Sequence, residues 1–513
     1  MSRTPETQKP RDGGVNRFGT DHLRKDLTGR SVRGGVFTMT AQAFKVLAQL
    51  ATIVILARLL SPNDFGVFAI VMSLLGILEL FKDLGLSSAI VQRETITERQ
   101  ASTLFWYNAG LGVIVAAILA GSGPLLSGFY GQPVLAVLAP AAAATLVVTG
   151  LSVQHLALLR RQMRFKTLAV VQTGAEFFGM AAAITAAVHG LGVWSLVVQR
   201  AVWCAVLALG AWSMSRWIPG RMGAWHDVRS LVTFGGNATG AMVLGNVSNN
   251  VYKLLIGWYW GAAPLGLFER TQKIVMMPVR NINIPLSTVS LPMLRRLQSE
   301  PGRYRKAYLA LVERVAMLMG PAAGLLVVAA EPVTTFVFGQ DWLDAAPILA
   351  WLGISVLYMP VTYTLSWLYM SQDRTKEMLR AGLINTGISM AAFMAALPFG
   401  PVAIAATVSL SGLLLRTPIL IFLATRRGPV SAGDFAAAAV APVGGAIGAA
   451  AAVSAVAQST YIPTQADWIQ VLTYAVTAYI AALAFYCIVP RARAALVESI
   501  HLARHLNVRR AKV

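Results

Sequence analysis

The chain has 513 residues, of which 56% are hydrophobic and only 13% are charged, and its mean hydropathy is +0.61. Soluble domains are about one quarter charged, so this composition excludes a water-facing globular protein. The formal net charge of +21 does not indicate a nucleic-acid partner. The basic residues mostly stand between hydrophobic segments, where they report orientation in a membrane and contact with anionic lipid.

Hydrophobic segments follow one another along almost the whole chain. Residues 1–33 are polar and basic and are interpreted as a disordered cytoplasmic tail, because no signal-peptide pattern is present. A helix that spans the bilayer needs about 20 apolar residues and satisfies its own backbone polar groups. Fourteen such helices are predicted, at 34–58, 65–91, 103–123, 134–159, 168–188, 191–215, 231–256, 266–293, 307–330, 343–370, 377–397, 402–425, 434–457 and 468–489.

The distribution of basic residues predicts the orientation. Thirty-three Lys and Arg residues fall in the two tails and in alternate connections, whereas the opposite set of connections holds only Arg58. Cytoplasmic connections carry the excess of Lys and Arg. Both termini are therefore predicted to be cytoplasmic, and the number of spans is predicted to be even.

An internal repeat divides the chain into two similar blocks. Leu59–Phe68 is LLSPNDFGVF and Tyr259–Phe268 is YWGAAPLGLF, with Gly66 matching Gly266 at an offset of 200. Each segment follows the first helix of a six-helix block, so the two blocks are predicted to be parallel repeats related by an axis along the membrane normal. The predicted fold class is all-α integral membrane, with an N-lobe at 34–215, a C-lobe at 231–425, an extra helix pair at 434–489 and a basic cytoplasmic tail at 490–513.

Basic residues inside the spans are the main functional signal. Each would cost roughly 2.5–3.5 kcal/mol at the bilayer centre, so such residues usually face a bundle interior or a wet cavity. Polar residues at steps of three and four form one stripe on helix 1 and another on helix 7, its equivalent in the second repeat. A cationic cavity between two lobes is predicted, suited to phosphate or carboxylate groups. Its candidate substrate-binding residues are Lys45, Arg200, Lys253, Arg270, Lys273 and Arg280, with Gln42, Gln49, Asn246 and Asn250 as its polar lining.

Two alternatives accompany this interpretation. Arg270 and Lys273 also fit positions at the outer interface, with their charges extended to the lipid headgroups. Glu79 and Glu176 are candidates for ion coupling, and a structural ion pair with a basic residue on another helix is the alternative for Glu176.

Enzymatic motifs are missing from the sequence. The sequence has no Walker loop, no nucleotide-binding glycine fingerprint and no histidine–carboxylate cluster. No catalytic residue, cofactor or metal is therefore predicted. Transport driven by a gradient or by the substrate itself is favoured.

At Ala57–Phe68 (ARLLSPNDFGVF), and again at Gly257–Ile274 (GWYWGAAPLGLFERTQKI), the sequence resembles polysaccharide exporters of the multidrug/oligosaccharidyl-lipid/polysaccharide superfamily. It is most similar to the Wzx-like flippases that include the colanic acid and succinoglycan exporters. The resemblance implies two six-helix lobes around a central cavity, alternating access, and a polyprenyl-diphosphate-linked oligosaccharide as substrate. Fourteen helices also resemble lipid II flippases, which implies a lipid-tail groove formed by 434–457 and 468–489.

The favoured function is a flippase for exopolysaccharide or O-antigen (lipopolysaccharide) repeat units in the bacterial inner membrane. Its expected partners are the lipid-linked oligosaccharide, membrane lipid, and a polysaccharide polymerase with its co-polymerase. A multidrug exporter of the same superfamily is one alternative, although cationic drugs would favour an acidic cavity. A membrane polysaccharide polymerase or ligase is the other, although the external connections are short.

Overall fold

The structure, a computed structural model, describes residues 46–83, 86–92, 96–224, 228, 246–459 and 466–498. Every secondary-structure element in these ranges is helical, as expected for a chain whose helices satisfy their own backbone groups in lipid. In chain order they are α1 (Val46–Leu59), α2 (Pro62–Asp83), α3 (Leu86–Gln92), α4 (Glu98–Gly121), α5 (Gly123–Tyr130), α6 (Leu135–Arg161), α7 (Phe165–Val188), α8 (Trp194–Ser215), α9 (246–260), α10 (Ala262–Arg296), α11 (Pro301–Val328), α12 (Ala330–Phe338), α13 (Ala346–Gly353), α14 (Ser355–Ser371), α15 (Thr375–Ala396), α16 (Pro401–Ser411), α17 (Thr417–Thr425), α18 (Ala432–Ala457), α19 (Asp467–Ile488) and α20 (490–498).

The described helices confirm a multi-pass membrane protein. Ten of them are long and apolar enough to cross a bilayer, or eleven when the bent pair Gln340–Gly353 and Ser355–Ser371 is taken as one span. The predicted tail 1–33, the first part of helix 1 and the first part of helix 7 lie outside the described residues. The predicted total of fourteen therefore stays a prediction.

Two spans that were predicted to be continuous are irregular. Span 343–370 is bent by 48° between α13 and α14. Span 402–425 contains a π-helical segment, Gly412–Arg416, in which the Arg416 Nη2 donates to the carbonyl of Val408 at 2.6 Å. A Cβ on Gly412 would overlap the Tyr358 hydroxyl. These irregularities depend on neighbouring helices, so hydropathy does not predict them.

The two repeats contact each other reciprocally at the start of α2 and α10. A Cβ on Gly66 would overlap the carbonyl oxygen of Ala262, and a Cβ on Gly266 would overlap that of Pro62. The offset of 200 relates the two contacts, since Gly66 corresponds to Gly266 and Pro62 to Ala262. Glycine at these two positions lets the helix backbones approach closely, as small residues do in membrane helix pairs.

Hydrophobic clusters join the lobes at the end predicted to be external. One cluster contains Leu56 and Phe65 of the N-lobe together with Phe338 and Trp342 of the C-lobe. At the opposite end, the described residues form one cluster from the N-lobe and a separate one from the C-lobe. The lobes are therefore closed at the predicted external end, and their packing is separate at the predicted cytoplasmic end.

A second repeated feature occurs at the predicted cytoplasmic ends of the lobes. The pattern Gln-x-Arg-x-Lys occurs at 162–166 and at 372–376, and the residues before the two arginines, Met163 and Asp373, have φ of 53° and 56°. Arg164 Nη1 donates to the carbonyl of Met214 at 2.7 Å, and Arg374 Nη1 donates to that of Ala424 at 2.9 Å. Each arginine therefore binds the C-terminal end of the last helix of its own lobe.

The extra helix pair packs against the C-lobe. α18 and α19 both contact α11, and a Cβ on Gly320 of α11 would lie 2.6 Å from the carbonyl oxygen of Pro442. The short helix α20 is bound to α11 by an ion pair between Arg491 and Glu313 at 3.2 Å.

Candidate substrate-binding site

A charged group lies between α9 and α10 where the C-lobe contacts the N-lobe. Lys253 Nζ is 3.7 Å from Glu269 Oε1, and Arg270 Nε is 3.1 Å from Glu269 Oε2. The Arg270 guanidinium lies over the ring of Phe65 of α2, 4.0 Å from its centroid. Arg270 is 8% exposed, so it is buried between the lobes and does not extend to the outer headgroups.

Lys273 lies one helical turn beyond this group and is exposed. It interacts electrostatically with Arg270, with Lys253 of α9 and with Glu176 of α7, so charges from both lobes act on it. Among the described residues it makes neither a hydrogen bond nor an ion pair. An exposed ammonium surrounded by charges from both lobes indicates a wet space between them.

A second charged group lies inside the N-lobe. Glu79 Oε1 is 3.4 Å from Lys82 Nζ and 3.5 Å from Arg200 Nη2. Lys82 also donates to the Thr149 hydroxyl at 2.6 Å. Only 2% of the Lys82 side chain is exposed, against 21% of Arg200 and 38% of Glu79. Arg200 and Glu79 are thus the members of this group that solvent reaches.

Lys82 is not among the candidate residues predicted from the sequence. Its position three residues after Glu79 places the two side chains on one helix face, which is the signal that could have identified it. Its burial against α6 could not be predicted, because that contact depends on how the helices pack.

The polar lining of helix 7 reaches the N-lobe. Asn250 Nδ2 donates to the carbonyl of Asn246 at 3.0 Å. A Cβ on Gly76 of α2 would lie 3.1 Å from the same Asn250 nitrogen. Gly76 lies three residues before Glu79 on α2. The Asn250 amide therefore lies close to the boundary between the two charged groups.

The other candidates are placed less closely together. Gln42 and Lys45 lie outside the described residues. Gln49 is half-buried on α1, and Arg280 is exposed on α10 without an ion pair among the described residues. Glu176 on α7 has an interaction partner, and its negative charge acts on the Lys273 ammonium.

The two groups together have an excess of positive charge. Five basic side chains are accompanied by three carboxylates. The basic residues are Lys82, Arg200, Lys253, Arg270 and Lys273, and the carboxylates are Glu79, Glu176 and Glu269. Within the described residues no group of His, Cys, Asp or Glu side chains could hold a metal ion. The basic members of the two groups are guanidinium and ammonium groups, which are hydrogen-bond donors suited to anionic oxygens.

Solved structures share this fold. The lipid II flippase MurJ in an inward closed conformation has a TM-score of 0.73 at 14% identity, over 88% of this chain and 98% of that one. An inward-facing multidrug resistance MATE family transporter of the MOP superfamily has a TM-score of 0.59 at 13% identity, over 77% of this chain and 100% of that one. The predicted two-lobed helical fold is therefore confirmed.

Related sequences are polysaccharide biosynthesis proteins. The teichuronic acid biosynthesis protein TuaB of Bacillus subtilis (strain 168) is 27% identical over 54% of this chain, and the chain spans 58% of its length. The lipopolysaccharide biosynthesis protein WzxC of Escherichia coli (strain K12) is 22% identical over 70% of this chain and 74% of its own length. The succinoglycan biosynthesis transport protein ExoT of Rhizobium meliloti (strain 1021) is 26% identical over 59% of this chain and 62% of its own length.

Two family models match the chain. One, described as lipid II flippase MurJ, matches residues 265–479. The other, described as polysaccharide biosynthesis protein, matches residues 55–347, which is more than half of the chain. The chain therefore belongs to this polysaccharide biosynthesis protein family and has the two-lobed fold of MOP-superfamily transporters.

Proposed function

We propose that the chain is a flippase that moves polyprenyl-diphosphate-linked oligosaccharide repeat units across the bacterial inner membrane, for exopolysaccharide or O-antigen synthesis. Family membership and relatives in teichuronic acid, lipopolysaccharide and succinoglycan biosynthesis support this proposal. Both termini are cytoplasmic in this proposal, because the Lys and Arg residues concentrate in the tails and alternate connections.

The single observation that carries the proposal is the excess of basic over acidic side chains between and beside the lobes. A diphosphate has several anionic oxygens, and charge-assisted hydrogen bonds to Arg and Lys are roughly twice as strong as neutral ones. Lys273 is exposed and unpaired among the described residues, so it is proposed to contact the diphosphate first. Arg200 is proposed to exchange its contact with Glu79 for a phosphate oxygen.

The lobes at 34–215 and 231–425 are proposed to move as two bodies. The external end is closed by the reciprocal glycine contact and the shared hydrophobic cluster. The substrate therefore enters from the cytoplasmic end, and separation of α2 from α10 would release it outside. The pair at 434–489 is proposed to follow the C-lobe, because both of its helices contact α11.

The basic character of the site disfavours the alternative of a multidrug exporter, whose cationic substrates would be repelled. We further propose that the chain performs no covalent chemistry and delivers its product to a polysaccharide polymerase and co-polymerase. Glu79 and Glu176 are the two carboxylates proposed for ion coupling, and Glu79 contacts both Lys82 and Arg200.

Flipping can be measured directly in proteoliposomes. The probe is a short polyprenyl-diphosphate oligosaccharide with a fluorescent group that a membrane-impermeant reductant destroys in the outer leaflet. Vesicles with the wild-type protein are expected to expose the whole probe pool to the reductant. Because a hydrogen bond to a charged group contributes about 1.5–3 kcal/mol, Arg200→Gln and Lys273→Gln are each expected to slow the exchange about tenfold or more.

Arg296→Gln is the matched control, since it removes one exposed charge at the end of α10, away from both charged groups. It is expected to flip at the wild-type rate. Wild-type vesicles that exchange probe no faster than protein-free vesicles would overturn the proposed function. If both site variants exchange the probe at the wild-type rate, the proposed flippase function would stand, but the proposed substrate-binding residues would be wrong.

A further inference from the structure

An apolar groove lies between α4 and α6 of the N-lobe. Its volume is about 850 Å³. Trp106, Gly110 and Val113 line it at steps of three and four on α4, and Val147 and Leu151 line it one turn apart on α6. Trp106 is 46% and Val113 53% exposed. On a pair of helices long and apolar enough to cross a membrane, such exposed apolar side chains are suited to contact acyl chains.

One end of the groove is built by the segment 219–222, which follows α8. The Trp106 indole donates to the carbonyl of Gly220 at 2.9 Å. The backbone N–H groups of Gly220 and Gly223 donate to the hydroxyls of Ser102 and Thr103, at 2.9 and 2.8 Å. Three hydrogen bonds thus fix this segment across the first turns of α4, so the end of the groove is a formed structure.

The same segment contributes a cation to the groove. Arg221 lines the groove and is exposed, and among the described residues it makes neither a hydrogen bond nor an ion pair. Among the described residues, no acidic side chain lines the groove. An apolar groove that ends in a guanidinium without an acidic partner among the described residues matches a lipid with apolar chains and an anionic headgroup.

We propose that this groove binds an anionic glycerophospholipid of the cytoplasmic leaflet, with an acyl chain along α4 and α6 and its phosphate at Arg221. The choice of leaflet rests on the orientation in the proposed function, whereas the binding itself does not. The lining residues belong to α4, α6 and the segment after α8, whereas the charged groups between the lobes are carried mainly by α2, α9 and α10. The groove is therefore a separate site from the proposed substrate cavity.

Gly110 makes this proposal testable, because a Cβ on it would meet nothing within 4 Å. Gly110→Phe should fill the groove without displacing a neighbouring helix. Arg221→Gln should keep the groove and remove the headgroup contact. Native mass spectrometry would count lipids bound to the full-length protein, mixed with phosphatidylglycerol or with phosphatidylcholine of the same chains.

The wild-type protein is expected to retain phosphatidylglycerol over phosphatidylcholine. Arg221→Gln should reduce that preference about fivefold, the effect of one basic residue near an anionic surface. Gly110→Phe should reduce the binding of both lipids. The matched controls are Arg296→Gln, which removes an exposed charge elsewhere, and Gly128→Phe, which adds the same side chain at an open position on α5.

Three outcomes would overturn the proposal. The first is an unchanged lipid preference in Arg221→Gln, and the second is an equal loss in Arg296→Gln, which would indicate non-specific attraction. The third is that a polyprenyl diphosphate displaces phosphatidylglycerol from the wild-type protein but not from Gly110→Phe. That result would make the groove a substrate site. A fluorescent probe that flips normally in Gly110→Phe would support two separate sites.

Discussion

The Lys82 ammonium lies inside the N-lobe, where it contacts the Glu79 carboxylate and the Thr149 hydroxyl. Such a charge is tolerated in the membrane only because its partners compensate for lost hydration. Glu79 also contacts Arg200, so one carboxylate forms ion pairs with two basic side chains. The stability of the N-lobe should therefore depend more on Glu79 than on either basic residue.

This dependence predicts an asymmetry between two substitutions. Glu79→Gln leaves Lys82 and Arg200 without their shared counter-charge. Because Glu79 is partly exposed, the expected loss of stability is about 2 kcal/mol, less than for a fully buried pair. Lys82→Met removes the buried charge itself and should change stability little, and the double variant should recover most of the loss caused by Glu79→Gln.

The melting temperature of each purified variant in detergent would measure these differences. Equal losses in Lys82→Met and Glu79→Gln would show that Lys82 stabilises the lobe by its charge, contrary to this prediction. No recovery in the double variant would show that the two side chains act independently.

At the scale of elements, the contact between α2 and α10 closes the external end. Gly266→Ala would place a methyl group against the carbonyl of Pro62, so the two helices must separate. The expected result is a larger population that is open to the outside. It can be measured as faster labelling of Ala57→Cys by an impermeant thiol reagent, with Cys204 and Cys487 replaced.

Ala57 is a suitable reporter because it is 3% exposed and packs in the hydrophobic cluster shared by the lobes. Gly128→Ala is the matched control, since a Cβ there meets nothing within 4 Å. Labelling of Ala57→Cys at the same rate in Gly266→Ala as in the control background would contradict the role of the glycine contact.

The two repeated arginines should contribute unequally to the lobes. Arg374 is 11% exposed, binds the carbonyl of Ala424 and contacts Glu377 at 2.6 Å, whereas the Arg164 bond to Met214 is exposed. Arg374→Gln is therefore predicted to lower the melting temperature more than Arg164→Gln. Arg303→Gln should change it least, because among the described residues it breaks only an exposed pair with Glu300, and exposed pairs contribute little to stability. A reversed order of the three variants would contradict this account.

Sequence patterns predicted continuous helices better than interrupted ones. The predicted spans 134–159 and 468–489 lie close to Leu135–Arg161 and Asp467–Ile488, because each is one apolar run with polar ends. The bend between α13 and α14 and the π-helical turn at Gly412 were not predicted. Both depend on side chains of other helices, such as Tyr358 against Gly412, which periodicity does not contain.

At the scale of the whole molecule, the internal repeat predicted two related lobes. In the structure, Gly66 and Gly266 each contact the repeat motif of the other lobe. The candidate cations Lys253, Arg270 and Lys273 are close together, because they lie on consecutive helices. The link to Glu176 on α7 could not be predicted, because it crosses between lobes and depends on how far they are closed.

The closed external end and the basic groups between the lobes lead to one physical claim. A negatively charged headgroup is proposed to bind between the lobes, because cations outnumber carboxylates there among the described residues. Removal of Lys273 should leave the fold intact, since it relieves repulsion from Arg270 and Lys253. Its loss should therefore weaken binding of the substrate without weakening the protein.

The most direct measurement is the dissociation constant of the purified protein for a short polyprenyl-diphosphate oligosaccharide, compared with the same glycan on an uncharged polyprenyl alcohol. The diphosphate is predicted to bind more tightly, and Lys273→Gln to weaken only the diphosphate, about tenfold, while Arg296→Gln binds both ligands as the wild type does. Equal affinity of the wild-type protein for the two ligands, or an unchanged constant in Lys273→Gln, would contradict the claim that basic residues between the lobes bind the headgroup.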